Sequence, residues 1–361
     1  MKNKVQRSTI IILFFVVTLS LTPAVLARSR KGEIIKFITD RKTEVGTGFS
    51  NSAAGTNKTS YEATAYALEI LDHYKLVNNK VNATKIQNYF TDELDLMLEN
   101  ENLTLYNLYY ILKTLDILEY QIDGVLFNET RDYISELNRT GGGFSFLENA
   151  NFSNVISTYL GLKSMKYLNI TIGNQTEHKE WILSCNNTDG GFGATPDLSS
   201  RLSTSYYALL ALEALNNTDS LPDKNATISF FKSYYSIEGG YLPDLTEDAP
   251  LLSSTYYSVY SISLLGGNIE EKSETTDWIL EHQNTLDGGF SEGEYKANDP
   301  KSSMVNTYFA FQSLKVLNPD LQILNEEIGM AQFNWIILLI LLTILGFAVG
   351  IGFYIYQERR I

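Results

Sequence analysis

Apolar and polar positions along the chain recur with a period of about 49 residues. Each copy centres on a glycine turn followed at once by an aromatic residue. The last four aromatics lie 48, 49 and 49 residues apart. An earlier copy, Gly46 to Phe49, ends 95 residues before Phe144, which is two periods, so a degenerate copy is expected near Met97. The four regular turns end at Phe144, Phe192, Tyr241 and Phe290.

A second signature follows each glycine turn. It reads Ser/Thr-Tyr and continues into an apolar stretch, most clearly from Thr204 to Leu212. The missing second copy appears as Leu105 to Leu112, without its glycines, which makes six repeats. The other copies begin at Thr64, Ser157, Ser254 and Asn306.

The pattern predicts two helices in each repeat. The first carries an apolar face, as at Trp181 to Leu183, and ends at the glycines, which accept the left-handed conformation that closes a helix. The second opens on Ser or Thr, which cap helices, and is apolar or small nearly all round. Such a helix is buried on most sides.

Six helical hairpins with a buried second helix predict an all-α fold, an (α/α)6 toroid around a central cavity. The second helices would form the inner ring and the first helices the outer ring. An open solenoid needs polar end caps, and none is evident. A gently curved open array is the competing interpretation.

The two ends of the chain predict export and a membrane anchor. Residues 1–27 combine a basic start, an apolar run of about a dozen residues and small residues near Ala27, as in a secretory signal peptide. An uncleaved signal anchor is the alternative. Residues 28–327 would form the extracellular domain. Residues 335–356 are uncharged and long enough for one transmembrane helix, and the basic residues in 357–361 place that tail in the cytoplasm.

Charge and composition limit the kinds of partner that the chain is expected to bind. The 361-residue chain has a formal net charge of −14. Removing the +3 of residues 1–27 and the +1 of the tail leaves about −18 for the predicted extracellular domain. This argues against nucleic acid, which needs a basic face. The expected partners are therefore the membrane, through the single span, and an unknown ligand or envelope protein.

Eleven Asn-x-Ser/Thr sequons agree with export to the cell membrane. Single sites occur by chance in a chain rich in Asn and Thr, but the excess favours an exported glycoprotein. The candidate glycosylation sites are Asn57, Asn82, Asn102, Asn128, Asn138, Asn151, Asn169, Asn174, Asn186, Asn216 and Asn225.

The repeats resemble a known family. Residues 181–193, followed by 204–215, resemble the repeats of protein prenyltransferase β-subunits. Residues 283–290 resemble the repeat of squalene and hopene cyclases that begins with Gln and ends in Gly-x-Trp, with Phe290 in the Trp position. The resemblance covers about residues 33–318 and implies the α/α toroid. It says little about activity, because one toroid hosts several functions.

The resemblance implies positions for a catalytic zinc. The Asp-x-Cys of the prenyltransferases falls on Leu251 and Ser253, and their His falls on Asn306. Leucine cannot bind zinc, and serine and asparagine are poor substitutes for thiolate and imidazole. We therefore expect no zinc and no other cofactor. The acid motif of the cyclases and the thioester sequence of complement-like toroids are absent too.

Tyrosines recur near the start of every inner helix. In a closed ring several would face the cavity and suit an isoprenoid, a sugar or a peptide. Alternatively, they wedge between helices and set the ring radius. The candidate cavity-lining residues are Tyr66, Tyr109, Tyr159, Tyr207, Ser253, Tyr257, Asn306 and Tyr308.

Acids lie in the loops before the inner helices and would rim one mouth of the cavity. They could supply paired carboxylates for glycoside cleavage or oxygen ligands for calcium. Solvated acidic loops are the simpler interpretation, because no acid spacing repeats. The candidates are Asp197, Asp244, Asp248 and Asp299.

The soft nucleophiles and bases are few. Cys185 lies seven residues, two helical turns, after His178, too far for proton transfer. Cys185 is therefore expected to be a small buried packing residue. His73, His178 and His282 fall in separate repeats and are expected at the surface.

We therefore expect a membrane-anchored cell-surface toroid that binds a ligand or partner and lacks prenyltransferase catalysis. The alternative is an enzyme that uses the same cavity, either as an isoprenoid transferase or cyclase or as a carboxylate-based glycan-active enzyme. A third possibility is an adhesion role for the outer surface.

Overall fold

Helices joined by short turns account for nearly all regular structure in this computed structural model, which describes residues 28–53, 58–292, 302–328 and Thr343. These ranges contain no strand, only isolated bridges. The helices are α1 (Arg30–Asp40), α2 (Tyr61–His73), the single turn α3 (Val77–Lys80), α4 (Ala83–Glu99), α5 (Leu105–Ile117), α6 (Gly124–Leu137), α7 (Val155–Tyr167), α8 (Gln175–Ser184), α9 (Leu202–Ala214), α10 (Lys224–Lys232), α11 (Leu252–Leu264), α12 (Lys272–Glu281) and α13 (Met304–Leu317).

Six helices form the inner ring: α2, α5, α7, α9, α11 and α13. Each packs against the next along the chain, and α13 packs against α2, which closes the ring. The predicted toroid is confirmed, and the open array is wrong. The inner helices are almost entirely buried; α9, for example, buries ten of its 13 residues.

The outer helices are amphipathic, as predicted. From α4 onwards, each outer helix packs against the inner helix of its own repeat. Helix α4 buries Ile86, Phe90 and Leu94, spaced at one helical turn, and its other positions are exposed or half-buried. One apolar stripe facing the inner ring is therefore enough to hold an outer helix.

Four of the glycine turns, those of the last four repeats, contact the outer helix of the next repeat. Gly190 has φ +86°, and a Cβ atom there would lie 2.4 Å from the backbone carbon of Ala226 in α10. Only glycine fits this conformation and this approach. Gly142 and Gly239 make the same contact with α8 and α12. Gly288 makes it with the backbone of Glu33 in α1, so the last repeat closes onto the first outer helix.

The aromatic after each glycine turn is a buried plug. Phe49, Phe144, Phe192, Tyr241 and Phe290 are at most 1% exposed. The backbone N–H of each plug donates to a buried hydroxyl of the following inner helix. The acceptors are Thr64, Thr158, Ser205, Thr255 and Thr307, at donor–acceptor distances of 2.9, 3.0, 2.7, 3.0 and 3.0 Å, respectively. We call this hydrogen bond the hydroxyl clasp.

A second, smaller unit of structure joins residues 28–31 to residues 324–328. Ser29 and Glu327 form an antiparallel bridge. The backbone N–H of Arg30 donates to the Glu326 carbonyl at 2.8 Å, and that of Ile328 donates to the Arg28 carbonyl at 3.1 Å. The two ends of the described chain are thus paired with each other.

Several predicted features lie outside the described residues. They are the signal peptide (1–27), the transmembrane segment (335–356, apart from Thr343), the tail (357–361), Asn57 and Asp299. Among the residues that are described, no helix has both the length and the apolar character needed to cross a membrane.

The hydroxyl clasp makes a stability prediction. Thr158→Val keeps the side-chain shape but leaves the buried Phe144 N–H without its acceptor, so we expect a loss of about 1–3 kcal/mol in the free energy of unfolding. Thr158→Ser keeps the hydroxyl, as Ser205 does in the next repeat, and should lose far less. Urea denaturation of both variants measures this. Equal stability of the Val and Ser variants would contradict the clasp.

Candidate ligand cavity

Tyrosines on neighbouring inner helices pack against one another on the inner side of the ring. The Tyr66 and Tyr308 rings stack with centroids 3.8 Å apart, and those of Tyr206 and Tyr257 with centroids 4.4 Å apart. The hydroxyls of Tyr109 and another ring member, Tyr159, lie 2.9 Å apart. We call these inner-helix tyrosines the tyrosine ring, and it is packed and hydrogen-bonded from one helix to the next.

Burial keeps these phenols protonated. Loss of water around Tyr66, Tyr109 and Tyr308 raises the pKa of each well above its usual value, and nearby tyrosines and carboxylates raise it further. Neutral phenols can donate one hydrogen bond and accept another. The tyrosine ring therefore offers aromatic faces with polar hydroxyl ends. This holds for either role predicted from the sequence, binding a ligand in the cavity or packing between helices.

A cavity of about 700 Å³ adjoins the tyrosine ring. Most of its remaining lining comes from the C-terminal halves of the inner helices, one or two turns beyond the tyrosines. Charged members are prominent there: Glu69, Lys113, Asp116, Lys163, Lys166, Glu213 and Lys315. Polar and charged groups thus lie above an aromatic floor.

An ion pair between a buried lysine and a half-buried glutamate joins two inner helices at the cavity wall. The Lys113 ammonium lies 2.6 Å from the Glu69 carboxylate, which also accepts hydrogen bonds from the Tyr308 hydroxyl at 3.1 Å and the Gln312 amide at 2.8 Å. The same ammonium lies 5.2 Å from the Tyr66 ring centroid and 5.1 Å from that of Tyr308. This network joins α2, α5 and α13 to the tyrosine ring.

The ion pair sets the protonation state of Glu69. Burial alone would raise the pKa of this carboxyl, but the Lys113 ammonium and the hydrogen bonds from Lys113 and Tyr308 outweigh it and hold the pKa below the usual 4.5. Glu69 is therefore ionised at neutral pH and fully engaged. It is not available as a catalytic acid.

Among the charged side chains buried in the cavity wall, Lys163 is the one whose charge is least balanced by an opposite charge nearby. Its ammonium lies 5.1 Å from the Tyr167 ring centroid, and no carboxylate of the described residues lies within 4 Å of it. Burial lowers its pKa, and the nearby Lys166 and Lys113 lower it further, against the attraction of Glu213 and Asp116. Such a lysine gains from any anion that enters the cavity.

The predicted tyrosines all line the cavity. These are Tyr66, Tyr109, Tyr159, Tyr207, Tyr257 and Tyr308. Ser253 and Asn306 do not belong to the lining; they are half-buried in the first turns of α11 and α13. The Asn306 backbone N–H donates to the Ser303 side chain at 3.0 Å.

Sequence reasoning missed the polar half of the cavity. Lys113 lies four residues after Tyr109, Lys163 four after Tyr159, and Gln312 four after Tyr308. Four residues are about one helical turn, so these side chains share the face of the tyrosines. That spacing could have identified them.

The candidate rim acids lie elsewhere. Asp197, Asp244 and Asp248 are exposed and precede the inner helices, whereas the charged cavity lining follows the tyrosines toward the other end of those helices. None of the three lines the cavity. Asp244 instead closes its own loop, accepting hydrogen bonds from the Thr246 N–H and hydroxyl at 3.0 and 2.8 Å.

His178 corrects the expectation that all three histidines lie at the surface. Its side chain is 1% exposed, its Nδ1 accepts the Gly143 N–H at 2.9 Å, and its ring stacks on Phe144. It is a packing residue of the glycine turn. Among the others, His73 is exposed and His282 is half-buried.

Cys185 is 2% exposed, and burial raises the pKa of its thiol to about 12. A thiol that stays protonated at neutral pH is a poor nucleophile. This accords with packing on α8's C-terminal end rather than with catalysis.

The sequons are largely accessible. Of the ten that fall within the described ranges, nine are exposed. The exception, Asn186, is half-buried, and its side-chain amide donates to the Gly191 carbonyl at 3.1 Å. The nitrogen that a glycan would occupy is therefore engaged in the glycine turn at Asn186.

The positions implied for zinc do not fit a metal. Leu251 supplies no ligand atom, and the Ser253 and Asn306 side chains are weak donors for zinc. Across residues 28–53, 58–292 and 302–328, no group of three or more His, Cys, Asp or Glu side chains is placed to hold a metal ion.

Comparison with known proteins gives one family. A model of the prenyltransferase alpha-alpha toroid domain matches residues 1–97, 81–241 and 242–335. No curated protein sequence matches the chain.

Solved structures share the fold at low identity. Protein geranylgeranyltransferase-I from Candida albicans, complexed with GGPP, aligns with a TM-score of 0.56 at 16% identity, over 84% of this chain and 94% of that one. The type II terpene cyclase MstE from Scytonema aligns at 0.53 and 9%, over 81% and 97%. A protein from Actinoplanes aligns at 0.53 and 10%, over 80% and 98%. These likenesses show the toroid fold alone.

The Glu69–Lys113 pair makes a pH prediction. Because the folded pKa of Glu69 lies below its unfolded value, its charge contributes stability that is present above about pH 5 and is lost as pH falls through the folded pKa. We expect Glu69→Gln to destabilise the protein at pH 7 and the difference from wild type to shrink toward pH 3. Unfolding free energies across pH measure this, with the exposed Glu99→Gln as control. A difference independent of pH would contradict it.

Proposed function

The chain belongs to the prenyltransferase alpha-alpha toroid family, and within that family we propose that it binds an amphiphilic anion in its central cavity without zinc-dependent prenyl transfer. The observation that carries this proposal is the charge of the cavity. Four lysines line it against three carboxylates, in a chain whose formal net charge is −14. A locally cationic cavity in an acidic protein favours an anionic ligand.

The shape and chemistry of the lining support an apolar body on that ligand. About 700 Å³ suits a small molecule of drug or lipid-fragment size. The tyrosine ring provides aromatic faces for the body, while Lys163 and Lys166 on α7 and Lys315 on α13 supply cations for the anionic group. Geranylgeranyl diphosphate, which the Candida albicans relative carries, has this chemistry and is a suitable probe.

The donor set argues against the zinc chemistry of prenyltransferases. Leu251, Ser253 and Asn306 occupy the implied ligand positions, and none supplies a thiolate, imidazole or carboxylate. We therefore derive no step through zinc. The binding function rests on the tyrosines and lysines alone.

A catalytic alternative rests on Asp116 and Lys163. Both line the cavity; burial raises the pKa of Asp116 and lowers that of Lys163. Opposite shifts of an acid and a base favour general acid–base chemistry. Release of diphosphate or formation of a cyclised product from the probe would favour this alternative over binding.

We also propose that residues 335–356 anchor the protein in the cell membrane, with the toroid outside and residues 357–361 in the cytoplasm. The uncharged segment, the arginines that follow it and the exposed sequons support this arrangement. The outer surface remains free for an envelope partner.

The ligand proposal predicts the effect of removing one lysine. Lys163→Gln should weaken binding of geranylgeranyl diphosphate about tenfold, because a buried charge-assisted contact is lost. Lys85→Gln, on the exposed face of α4, is the matched control and should change nothing. Calorimetric titration measures both. Equal affinities in the two variants would rule out Lys163 as the anion contact.

The contact between Lys163 and the anionic group also determines how ligand affinity depends on pH. The pKa of Lys163 is lowered by burial, so its charge is present below that pKa and is lost as pH rises through it. As pH rises, affinity for the anion should therefore begin to fall at a lower pH than it would if this lysine had an ordinary pKa. Lys163→Gln should weaken this dependence of affinity on pH.

The anchor makes a separate prediction. A chain ending at residue 327 should appear in the soluble fraction, while the full chain stays with membranes. Fractionation followed by immunoblotting measures this. A truncated chain that remains membrane-bound would assign the attachment to residues 1–327.

A further inference from the structure

The glycine turn of the third repeat is built differently from the later ones. It has three consecutive glycines, Gly141, Gly142 and Gly143, with φ angles of +88°, +102° and +78°, respectively. In the three later turns, only the first glycine of each pair has a left-handed φ. We call residues 141–143 the triple-glycine turn. Two of its residues therefore adopt a backbone conformation that the corresponding residues of the later turns do not.

The N–H group of the last glycine in this turn has an unusual acceptor. In the fourth repeat, the Gly191 N–H donates to the Asp189 carboxylate at 2.9 Å, and the sixth repeat has the same bond at 3.1 Å. Gly141 stands in the place of that aspartate and offers no side chain. The Gly143 N–H donates instead to Nδ1 of His178 on α8, at 2.9 Å. An imidazole from the next outer helix thus replaces a carboxylate of the turn itself.

His178 occupies a position that is buried at every junction of this kind. It directly follows Glu177, whose backbone carbonyl meets Gly142. The residues in the same register on the other outer helices are each at most 1% exposed and are Ile34, Thr227 and Thr275. Their side chains do not titrate. Of these four junctions, all within the described residues, that of the triple-glycine turn is therefore the one with a titratable group at this buried position.

The hydrogen bond to Gly143 fixes the protonation state of His178. Because Nδ1 accepts an N–H, the one proton of the neutral ring lies on Nε2. Nε2 is buried and, in the part of the chain that the structure describes, has no hydrogen-bond partner. A second proton would sit on Nδ1, directed at the Gly143 N–H, and would place a charge in a site without an acceptor. The neutral ring fits this site and the charged ring does not.

No ion pair within the described residues offsets the cost of charging this ring. The ring stacks on Phe144, with centroids 5.2 Å apart, and burial lowers the pKa of the imidazole. None of the surrounding charged groups bonds to it, because Nδ1 is engaged by Gly143 and Nε2 has no partner among the described residues. The charged side chains on α8, on the turn and on the adjoining inner helices include Glu177, Lys179, Glu180, Arg139, Lys163 and Glu213.

We propose that His178 makes the triple-glycine turn an acid-sensitive junction of the ring: a proton taken up from solvent at Nδ1 breaks the hydrogen bond to Gly143, and the turn separates from α8 while the other glycine junctions stay closed. Phe144, which follows the turn, is clasped to Thr158 on α7, and α7 lines the cavity. Opening of this junction therefore loosens one wall of the cavity. Acidification of the medium around the toroid is the signal to which it responds.

The sign of the pH dependence follows from the fit of the neutral ring. The folded pKa of His178 lies below the ordinary histidine value of about 6.5. The neutral ring therefore contributes stability that is complete above that ordinary value and is lost as pH falls through the folded pKa. Between about pH 7.5 and about pH 5.5, the open population of this junction should rise about five- to tenfold.

Amide hydrogen exchange of the full-length protein, corrected for the intrinsic exchange rate at each pH, measures the opening of individual turns. Exchange of residues 141–145 should speed up by that factor over this pH range. The fourth turn, residues 189–193, is the control within the same molecule and should change by less than about twofold, because its acceptor is a carboxylate rather than an imidazole.

His178→Asn is the test variant, since an amide oxygen near the position of Nδ1 accepts the Gly143 N–H but cannot titrate. It should remove the rise in exchange, whereas His73→Asn, at the exposed end of α2, is the matched control and should keep it. The proposal is overturned if the two turns of the wild-type protein respond to pH alike, if neither responds, if His178→Asn responds as the wild type does, or if His73→Asn also abolishes the response. The comparison of the two turns within the wild-type protein stands even where a variant does not fold.

Discussion

The hydroxyl clasp is the interaction on which the toroid depends. A glycine turn can leave one outer helix and approach the next only if the aromatic after it is fixed, and the buried Thr or Ser of the inner helix fixes it through the aromatic's own N–H. The hydroxyl also satisfies a donor that burial would otherwise leave unpaired. In the last four repeats, one hydrogen bond therefore sets the position of the turn, the inner helix and the next outer helix together.

The tyrosine ring is the second feature that shapes the toroid, on the inner side of the helix ring. Six helices in a closed ring surround a central space, of which about 700 Å³ remains open as the cavity. Paired tyrosines such as Tyr66 and Tyr308 line that space by stacking, and their hydroxyls find partners in one another or in Glu69. The tyrosines are neutral, with polar hydroxyl ends. Charged side chains lie about one turn further along the helices, where Lys113 and Lys163 line the cavity.

Most of the fold could be predicted from the sequence, and less of the cavity. The 49-residue period, the glycine turns and the capped apolar stretches determine the number of repeats and which helix is buried, because each is a local property of the chain. The tyrosines at the cavity were identifiable for the same reason. The Glu69–Lys113 pair was not, because its members lie 44 residues apart and meet only when α2 packs against α5. The burial of His178 was missed because the helical face it shares with Ile182 carries too weak an apolar pattern.

Ring closure also determines where the toroid is weakest. In an open array, the end repeats have one neighbour each and fray first. Here Gly288 rests on α1, so every repeat has two neighbours and no end repeat exists. Local opening of this domain therefore has no end repeat from which to start, and it must separate two repeats that are each packed on both sides.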